Sequence, residues 1–180
     1  MSAAMPKKAA SKPFTMVRRS LWRSKRFGGL PNDAARYLYL YLLTCQHQGP
    51  IGCMRLNDAY ALSDLNMTGA DWTPAKFQAA KDAILQSELA LFHAETSEIL
   101  LTGWWKDNGP SNESWFSGAR RQCEGIESAT LREYALAALD ECWEAFQATR
   151  GIQPRSGAGQ TPGISEALRN RIRPIGGIQA

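Results

Sequence analysis

The sequence has few residues of the kinds that build catalytic or metal centres. It contains two histidines and four cysteines, and the cysteines lie far apart with no C-x-x-C pair. Zinc sites need closely spaced thiolate and imidazole ligands, so this spacing disfavours a metal. The motifs G-x-x-x-x-G-K-[ST], G-x-S-x-G and H-E-x-x-H are also absent. We therefore expect a protein that is not an enzyme and that uses neither a metal nor a cofactor.

Long hydrophobic runs are missing as well. No apolar stretch approaches the roughly 20 residues that span a bilayer, and no export signal follows the basic N-terminus. We therefore expect no membrane association and interpret the cysteines as reduced thiols of a cytoplasmic protein. The 180 residues are 44% hydrophobic, which is enough for one domain with a core and polar ends.

Acidic residues are almost absent from the two ends of the chain. Residues 1–31 contain eight Lys or Arg and no acid, whereas residues 32–149 contain eight basic and sixteen acidic residues. Residues 150–180 contain five Arg and one Glu. The net charges of +8, −8 and +4 give the overall +4. A basic end is the usual electrostatic signature of a polyanionic partner, and the acidic middle argues against a core coated by DNA.

Two predicted helices lie at the centre of the sequence and organise the expected fold. Asn57 is placed to cap a helix that ends near Leu65, and residues 66–72 form a long polar turn. Thr73 can cap the next helix, where Pro74 occupies the first turn without losing a hydrogen bond. The apolar residues of this second helix recur at helical spacing and are Phe77, Ala80, Ile84 and Leu89. They predict one buried face and one outward face.

A β-hairpin is predicted directly after the second helix. Two short apolar runs, residues 90–94 and 98–102, are separated by the polar residues 95–97. Residues 51–56 are long enough for a third strand that pairs with the hairpin. The sequence therefore predicts a mainly α fold with a small β-hairpin or three-stranded sheet, in the order of a winged helix-turn-helix.

Further helices are predicted on both sides of this unit, at residues 32–45, 112–124 and 128–149. Residues 103–114, with Trp104 and Trp105, are expected to leave the sheet across the domain surface. We expect four segments: a disordered basic arm at 1–15, a winged-helix domain at 16–112, a C-terminal helical extension at 113–149 and a flexible basic tail at 150–180.

Candidate DNA contacts come from the basic lead-in, from the second helix and from the strand before the helix pair. The lead-in, residues 16–27, interleaves apolar side chains with cations. Those cations stay solvated beside a packed strand or irregular segment, or face phosphates, and the two interpretations are compatible. The candidates are Arg18, Arg19, Arg23, Lys25, Arg26, Arg55, Thr73, Lys76, Gln78 and Lys81. The hairpin tip is a poor contact because Glu95 and Glu98 would repel a phosphate.

The tail carries a short basic and apolar peptide behind a linker rich in Gly, Pro and Ser. The candidate partner-binding residues are Leu168, Arg169, Arg171, Ile172 and Arg173. A short helix on a flexible tether suits docking on a partner, and the same composition also fits an inert tail.

Two parts of the chain resemble a known family. The first consists of Trp22, Lys25, Phe27, Leu30, the run ARYLYLYLLT at 35–44, and Gly52. The second consists of the run ILLTGWWKDN at 99–108 and Pro110. They are similar to the opening and the end of winged-helix domains in bacteriophage replication-initiation proteins, also called replisome organisers. The resemblance implies a protein that binds origin DNA through its winged helix and recruits a helicase or helicase loader through later segments.

Three functions fit these observations and share one fold. The first is binding of double-stranded DNA in phage replication initiation. The second is a protein-interaction factor that captures or inhibits a host protein, for example an anti-host-defence protein. The acidic centre and the hairpin tip, where Thr96 and Ser97 are uncharged, favour it. The third is a transcriptional repressor, which must form a homodimer to read two half-sites, with residues 128–149 as the interface.

Overall fold

The computed structural model describes residues 14–150, so the start of the basic arm and the candidate peptide at 168–173 lie outside the described residues. The elements are, in chain order, a 3₁₀ turn (Arg19–Arg23), α1 (Lys25–Gly28), α2 (Asp33–Thr44), β1 (Cys53–Arg55), α3 (Asp58–Met67), α4 (Pro74–Gln86), β2 (Ala90–His93), β3 (Glu98–Leu101), α5 (Trp104–Asn108), α6 (Glu113–Glu124) and α7 (Ala129–Thr149). The prediction of a mainly α fold with a small three-stranded sheet is confirmed. The elements from α2 to β3 follow the winged helix-turn-helix order.

The sheet is antiparallel and has the order β1-β3-β2. In the register, Leu100 of β3 pairs with Cys53 of β1 on one side and with Leu91 of β2 on the other. All four residues of β3 are buried. Side chains of a strand alternate between the two faces, so both faces of the sheet are covered at its central strand.

The predicted helix starts agree with the structure. In each case a side-chain oxygen accepts a hydrogen bond from a backbone N–H of the first turn, which otherwise has no intrahelical partner. The capping residues are Asn32, Asn57, Thr73, Asn112 and Ser128. Caps of this kind contribute roughly 0.5–2 kcal/mol each. Local chemistry therefore fixes where five of the helices begin.

The lead-in differs from the expected strand or irregular segment, because it forms the 3₁₀ turn and α1. Ser24 caps α1, and Phe27 is buried against the ring of Tyr39, with ring centroids 5.9 Å apart. Leu21 is half-buried against the same core. The lead-in is therefore part of the folded domain.

Residues 104–108 also correct the prediction, because they form a helix whose two tryptophans are buried rather than a surface crossing. The indole N–H of Trp104 donates a hydrogen bond to the carbonyl of Pro50 at 2.9 Å. Gly52 has φ +74° and leaves room for that ring, since a Cβ there would lie 2.4 Å from Cγ of Trp104. A turn far away in sequence thus buries the tryptophan.

The C-terminal helices α6 and α7 share the core of the preceding elements. Their buried residues belong to one contiguous apolar cluster with Phe27 and Ile99, and are Ala119, Cys123, Leu131, Ala135 and Leu139. Helix α7 also contacts α5, α6 and β2. The segment predicted as an extension is therefore packed on the winged-helix unit.

Candidate nucleic-acid interface

The lead-in is fastened to α5 at its start. Arg18 forms an ion pair with Asp107 and donates a hydrogen bond to the carbonyl of Lys106. The side-chain amide of Asn108 accepts a hydrogen bond from the N–H of Met16 at 2.9 Å and donates one to its carbonyl at 3.3 Å. These contacts hold the backbone on the surface of the domain.

A second attachment holds the other end of the lead-in. The guanidinium of Arg26 donates a hydrogen bond to the carbonyl of Glu88 at 2.8 Å and another to the hydroxyl of Thr102 at 3.3 Å. Glu88 lies just after α4 and Thr102 just after β3, the central strand of the sheet. Arg18 and Arg26 therefore hold the lead-in on the domain, in addition to contributing positive charge.

Three cations between and beside these anchors are available to a ligand. Arg19, Arg23 and Lys25 are exposed, and their side chains make no hydrogen bond or ion pair with any residue in 14–150. Trp22 lies among them and is 70% exposed. Residues 1–31 contain no acid that could neutralise these charges locally. We call Arg19, Trp22, Arg23 and Lys25 the lead-in patch.

The outward face of α4 is much less basic than a typical DNA-reading helix. Lys76 is exposed, but its ammonium donates to the carbonyl of Asp71 at 2.8 Å and lies 5.1 Å from the ring of Trp72. Gln78 donates to the carboxylate of Asp82 at 2.8 Å. The two charges on this face, Lys76 and Asp82, cancel. This face can therefore position a ligand by polar contacts but attracts it weakly.

Among the candidate DNA contacts, Lys81 differs most clearly from the prediction. The sequence places its ammonium at the DNA, whereas in the structure Lys81 is 5% exposed. Its Nζ lies 2.9 Å from a carboxylate oxygen of Asp58 and 4.8 Å from the ring centroid of Phe92. Positions 77, 81 and 84 share one face of a helix, so Lys81 follows the buried stripe and its charge is satisfied inside.

Thr73 is exposed at the start of α4, where its hydroxyl accepts a hydrogen bond from the N–H of Lys76 at 3.2 Å. Arg55, another candidate contact, is exposed but pairs with the carboxylate of Glu127. Neither residue adds an unopposed charge to the surface. The candidate contacts thus fall into separate groups rather than one continuous basic face.

The side chain of Glu98 corrects the expectation for the hairpin. Instead of facing a phosphate, it is 7% exposed and accepts hydrogen bonds from the N–H groups of Glu127 at 2.9 Å and Ser128 at 2.8 Å. The hydroxyl of Thr96 donates a third hydrogen bond at 2.9 Å. This carboxylate therefore joins the hairpin to α7.

Helix α7, the candidate dimer interface, uses its apolar face within the chain. Leu131, Ala135 and Leu139 are buried there. Exposed acids occupy the outer side, at Glu133 and Glu144 among others. Two copies that met on this side would bring like charges together, which disfavours association.

A small cavity lies beside the end of α2, lined by residues that include Cys45, His47 and Tyr60, with room for about two water molecules. The hydroxyl of Tyr41 donates to Asp64 at 2.8 Å, and Nε2 of His47 lies 3.8 Å from the same carboxylate oxygen. Burial raises the pKa of the Cys45 thiol. A raised thiol pKa gives little thiolate, so this cluster does not form an activated nucleophile.

Comparisons of the chain with models of protein families, with curated proteins and with solved structures found no match. No helix in the part of the chain that the structure describes is long and apolar enough to cross a bilayer. Residues 14–150 also contain no group of three or more His, Cys, Asp or Glu side chains that could hold a metal ion.

Proposed function

We propose that the protein binds double-stranded DNA through the lead-in patch, in a role related to phage replication initiation. The observation that carries the proposal is that Arg19, Arg23 and Lys25 are exposed and unpaired within the described residues while Arg18 and Arg26 hold the segment in place. The replication role rests on the resemblance to replisome organisers. We further propose that the protein acts in the cytoplasm and binds rather than catalyses.

The electrostatics explain how such a protein would bind. Each cation that neutralises a phosphate releases a condensed counterion, so affinity falls steeply with salt. The cations of the lead-in patch supply this salt-dependent attraction, because residues 32–149 carry a net charge of −8 and cannot supply it. Helix α4 would then contribute orientation through Lys76 and Gln78, and the near-neutral face predicts weak discrimination between base sequences.

Duplex binding by the full chain should be measured by fluorescence anisotropy from about 50 to about 200 mM salt. We expect the triple variant Arg19→Ala, Arg23→Ala, Lys25→Ala to reduce the log–log salt slope by up to about 3, since each lost phosphate contact removes roughly 0.9. Single variants should reduce it by about 1 each.

A matched control is available on α6. Arg121 is exposed and makes no ion pair within residues 14–150, so Arg121→Ala changes the net charge as Arg19→Ala does. Binding should survive Arg121→Ala and weaken with Arg19→Ala. The proposal is wrong if duplex binding is undetectable at about 50 mM salt, or if the triple variant binds like the unmodified chain.

Exposed apolar side chains favour protein recognition as a second candidate function. Tyr60 and Met67, on α3, are 64% and 83% exposed, and a spacing of seven residues puts them on one helix face. Tyr37 is 42% exposed and donates a hydrogen bond to Thr68, next to Met67. A helicase, helicase loader or other host protein could dock there.

This alternative predicts that a nuclease-treated pull-down from the natural host returns one stoichiometric protein. Tyr60→Ala combined with Met67→Ala should abolish the capture, and the triple variant of the lead-in patch should preserve it. Capture that depends on the patch instead would exclude this surface. Repression is a third function and requires a homodimer, so a monomer in light scattering at working concentration would exclude it.

A further inference from the structure

Trp22 is unusual among the tryptophans of the chain because its ring lies mostly in water. It is 70% exposed, whereas Trp72, Trp104 and Trp105 are buried. Its described ring contact is an edge-on one with Phe27, with centroids 5.4 Å apart and planes 83° apart. An indole this exposed leaves a face open to solvent, and exposing it forgoes apolar burial. The open face is therefore a candidate contact for a ligand.

The 3₁₀ turn aligns this ring with a cation. Side chains three positions apart in a 3₁₀ helix lie above one another, so Arg19 and Trp22 emerge on the same side. Arg23 follows the ring directly, and Lys25 begins the next helix. An aromatic face with unpaired cations beside it suits a nucleotide, whose base has a π-face and whose phosphate is an anion.

We propose that the lead-in patch binds single-stranded DNA, with Trp22 stacked on an unpaired base and the neighbouring cations on the phosphates. In a duplex both faces of each internal base are already stacked on neighbouring bases, so the indole gains no such contact there. The inference rests on the proposed function in placing nucleic acid on this patch. It goes further by assigning Trp22 to an opened strand.

The test uses the full chain and a labelled thymidylate strand of about 20 nucleotides, a length that covers one binding site. Trp22→Ala should weaken single-strand binding by about 5- to 160-fold, the range for loss of one stacked base. Trp22→Phe should restore most of the affinity, because phenylalanine keeps a π-face. Duplex binding should change by less than about 2-fold in both variants.

Two controls separate stacking from other effects. Tyr60→Ala removes another exposed aromatic ring, on α3, and should leave single-strand binding unchanged. Thermal unfolding should show that Trp22→Ala folds like the unmodified chain.

A uridylate strand of the same length distinguishes DNA from RNA as the ligand. Dependence on Trp22 for the uridylate strand alone would overturn the assignment to DNA.

The two proposals fail in different ways. If Trp22→Ala binds the single strand as the unmodified chain does, the stacking inference is wrong whatever happens with duplex. Equal losses on single strand and duplex also overturn it, since the indole would then act by shaping the patch. If duplex is not bound at all while the single strand depends on Trp22, the duplex function fails and the inference stands.

Discussion

The carboxylate of Glu98, on the central strand, accepts a hydrogen bond from the backbone N–H of Ser128, the N-cap of α7, at 2.8 Å. A second oxygen accepts from the N–H of Glu127 at 2.9 Å. A negative charge is favourable at a helix N-terminus, where the amide groups have no intrahelical partners. One side chain thus couples the hairpin to the C-terminal helices.

This contact predicts how stability depends on pH. Burial alone would raise the pKa of Glu98, but hydrogen bonds from Ser128, Glu127 and Thr96 and the charge of Arg55 outweigh it and lower the pKa. A carboxyl group with a lower pKa when folded stabilises the fold above its unfolded pKa and loses this effect as pH falls through the folded value. We expect Glu98→Gln to cost about 1–3 kcal/mol near pH 7 and to flatten the loss of stability below about pH 4.5.

Urea unfolding at a series of pH values measures this effect. Glu95→Gln removes a carboxylate from the exposed hairpin tip and should change the free energy of unfolding by no more than about 0.5 kcal/mol. If Glu98→Gln is as stable as the unmodified chain at neutral pH, the contact does not contribute as described.

The buried ammonium of Lys81 predicts an asymmetry between two substitutions. Asp58→Asn leaves that charge without its partner and should cost about 1–3 kcal/mol, less than a fully buried pair because Asp58 is half exposed. Lys81→Met keeps the apolar stem against Phe77 and Phe92 and should change stability by about 1 kcal/mol or less. The salt slope of DNA binding should be the same with Met at position 81. A reduced slope would show that Lys81 reaches the DNA after all.

The glycine at position 52 predicts a large effect from one methyl group. Gly52→Ala places a Cβ where only 2.4 Å separates it from the Trp104 ring, at a φ of +74° that side chains disfavour. We expect a loss of about 2–4 kcal/mol from strain and overpacking. The control is Gly118→Ala in α6, where an added Cβ would have no atom within 4 Å. This substitution should leave the free energy of unfolding unchanged or raise it by up to about 1 kcal/mol. Differential scanning calorimetry of both variants tests the contrast, and equal melting temperatures would contradict it.

The thiols should report unfolding. Burial raises the pKa of Cys53 and of Cys123 to about 12, so at about pH 8 almost none of these two thiols is ionised in the folded protein. We expect iodoacetamide to leave both unmodified for hours under native conditions and to label them in urea, as measured by peptide mass spectrometry. Rapid native labelling of Cys123, which is fully buried, would show that α6 separates from the core.

Much of the fold could be predicted from the sequence because its signals are local. Thr73 caps α4 through a hydrogen bond to a residue three positions away, and Pro74 fits the first turn of any helix. The hairpin follows from two short apolar runs joined by a few polar residues. The candidate site was harder to predict, because a charged residue in the sequence does not show which group its side chain contacts in the folded protein. Nothing in the sequence indicated that the ring of Trp22 is exposed, apart from the basic residues beside it.

By itself, the sequence determined the longer helices with their caps, the hairpin, and the separation of a basic end from an acidic body, but not the short helices of the lead-in and of residues 104–108. Only the tertiary structure decided which cations serve the fold and which remain for a ligand. Arg18 reaches a carbonyl 88 residues away, and Lys81 is matched by an acid on another helix. Such partners meet only when distant segments pack. Electrostatic roles depend on distance in space, whereas caps and periodicity depend on distance along the chain.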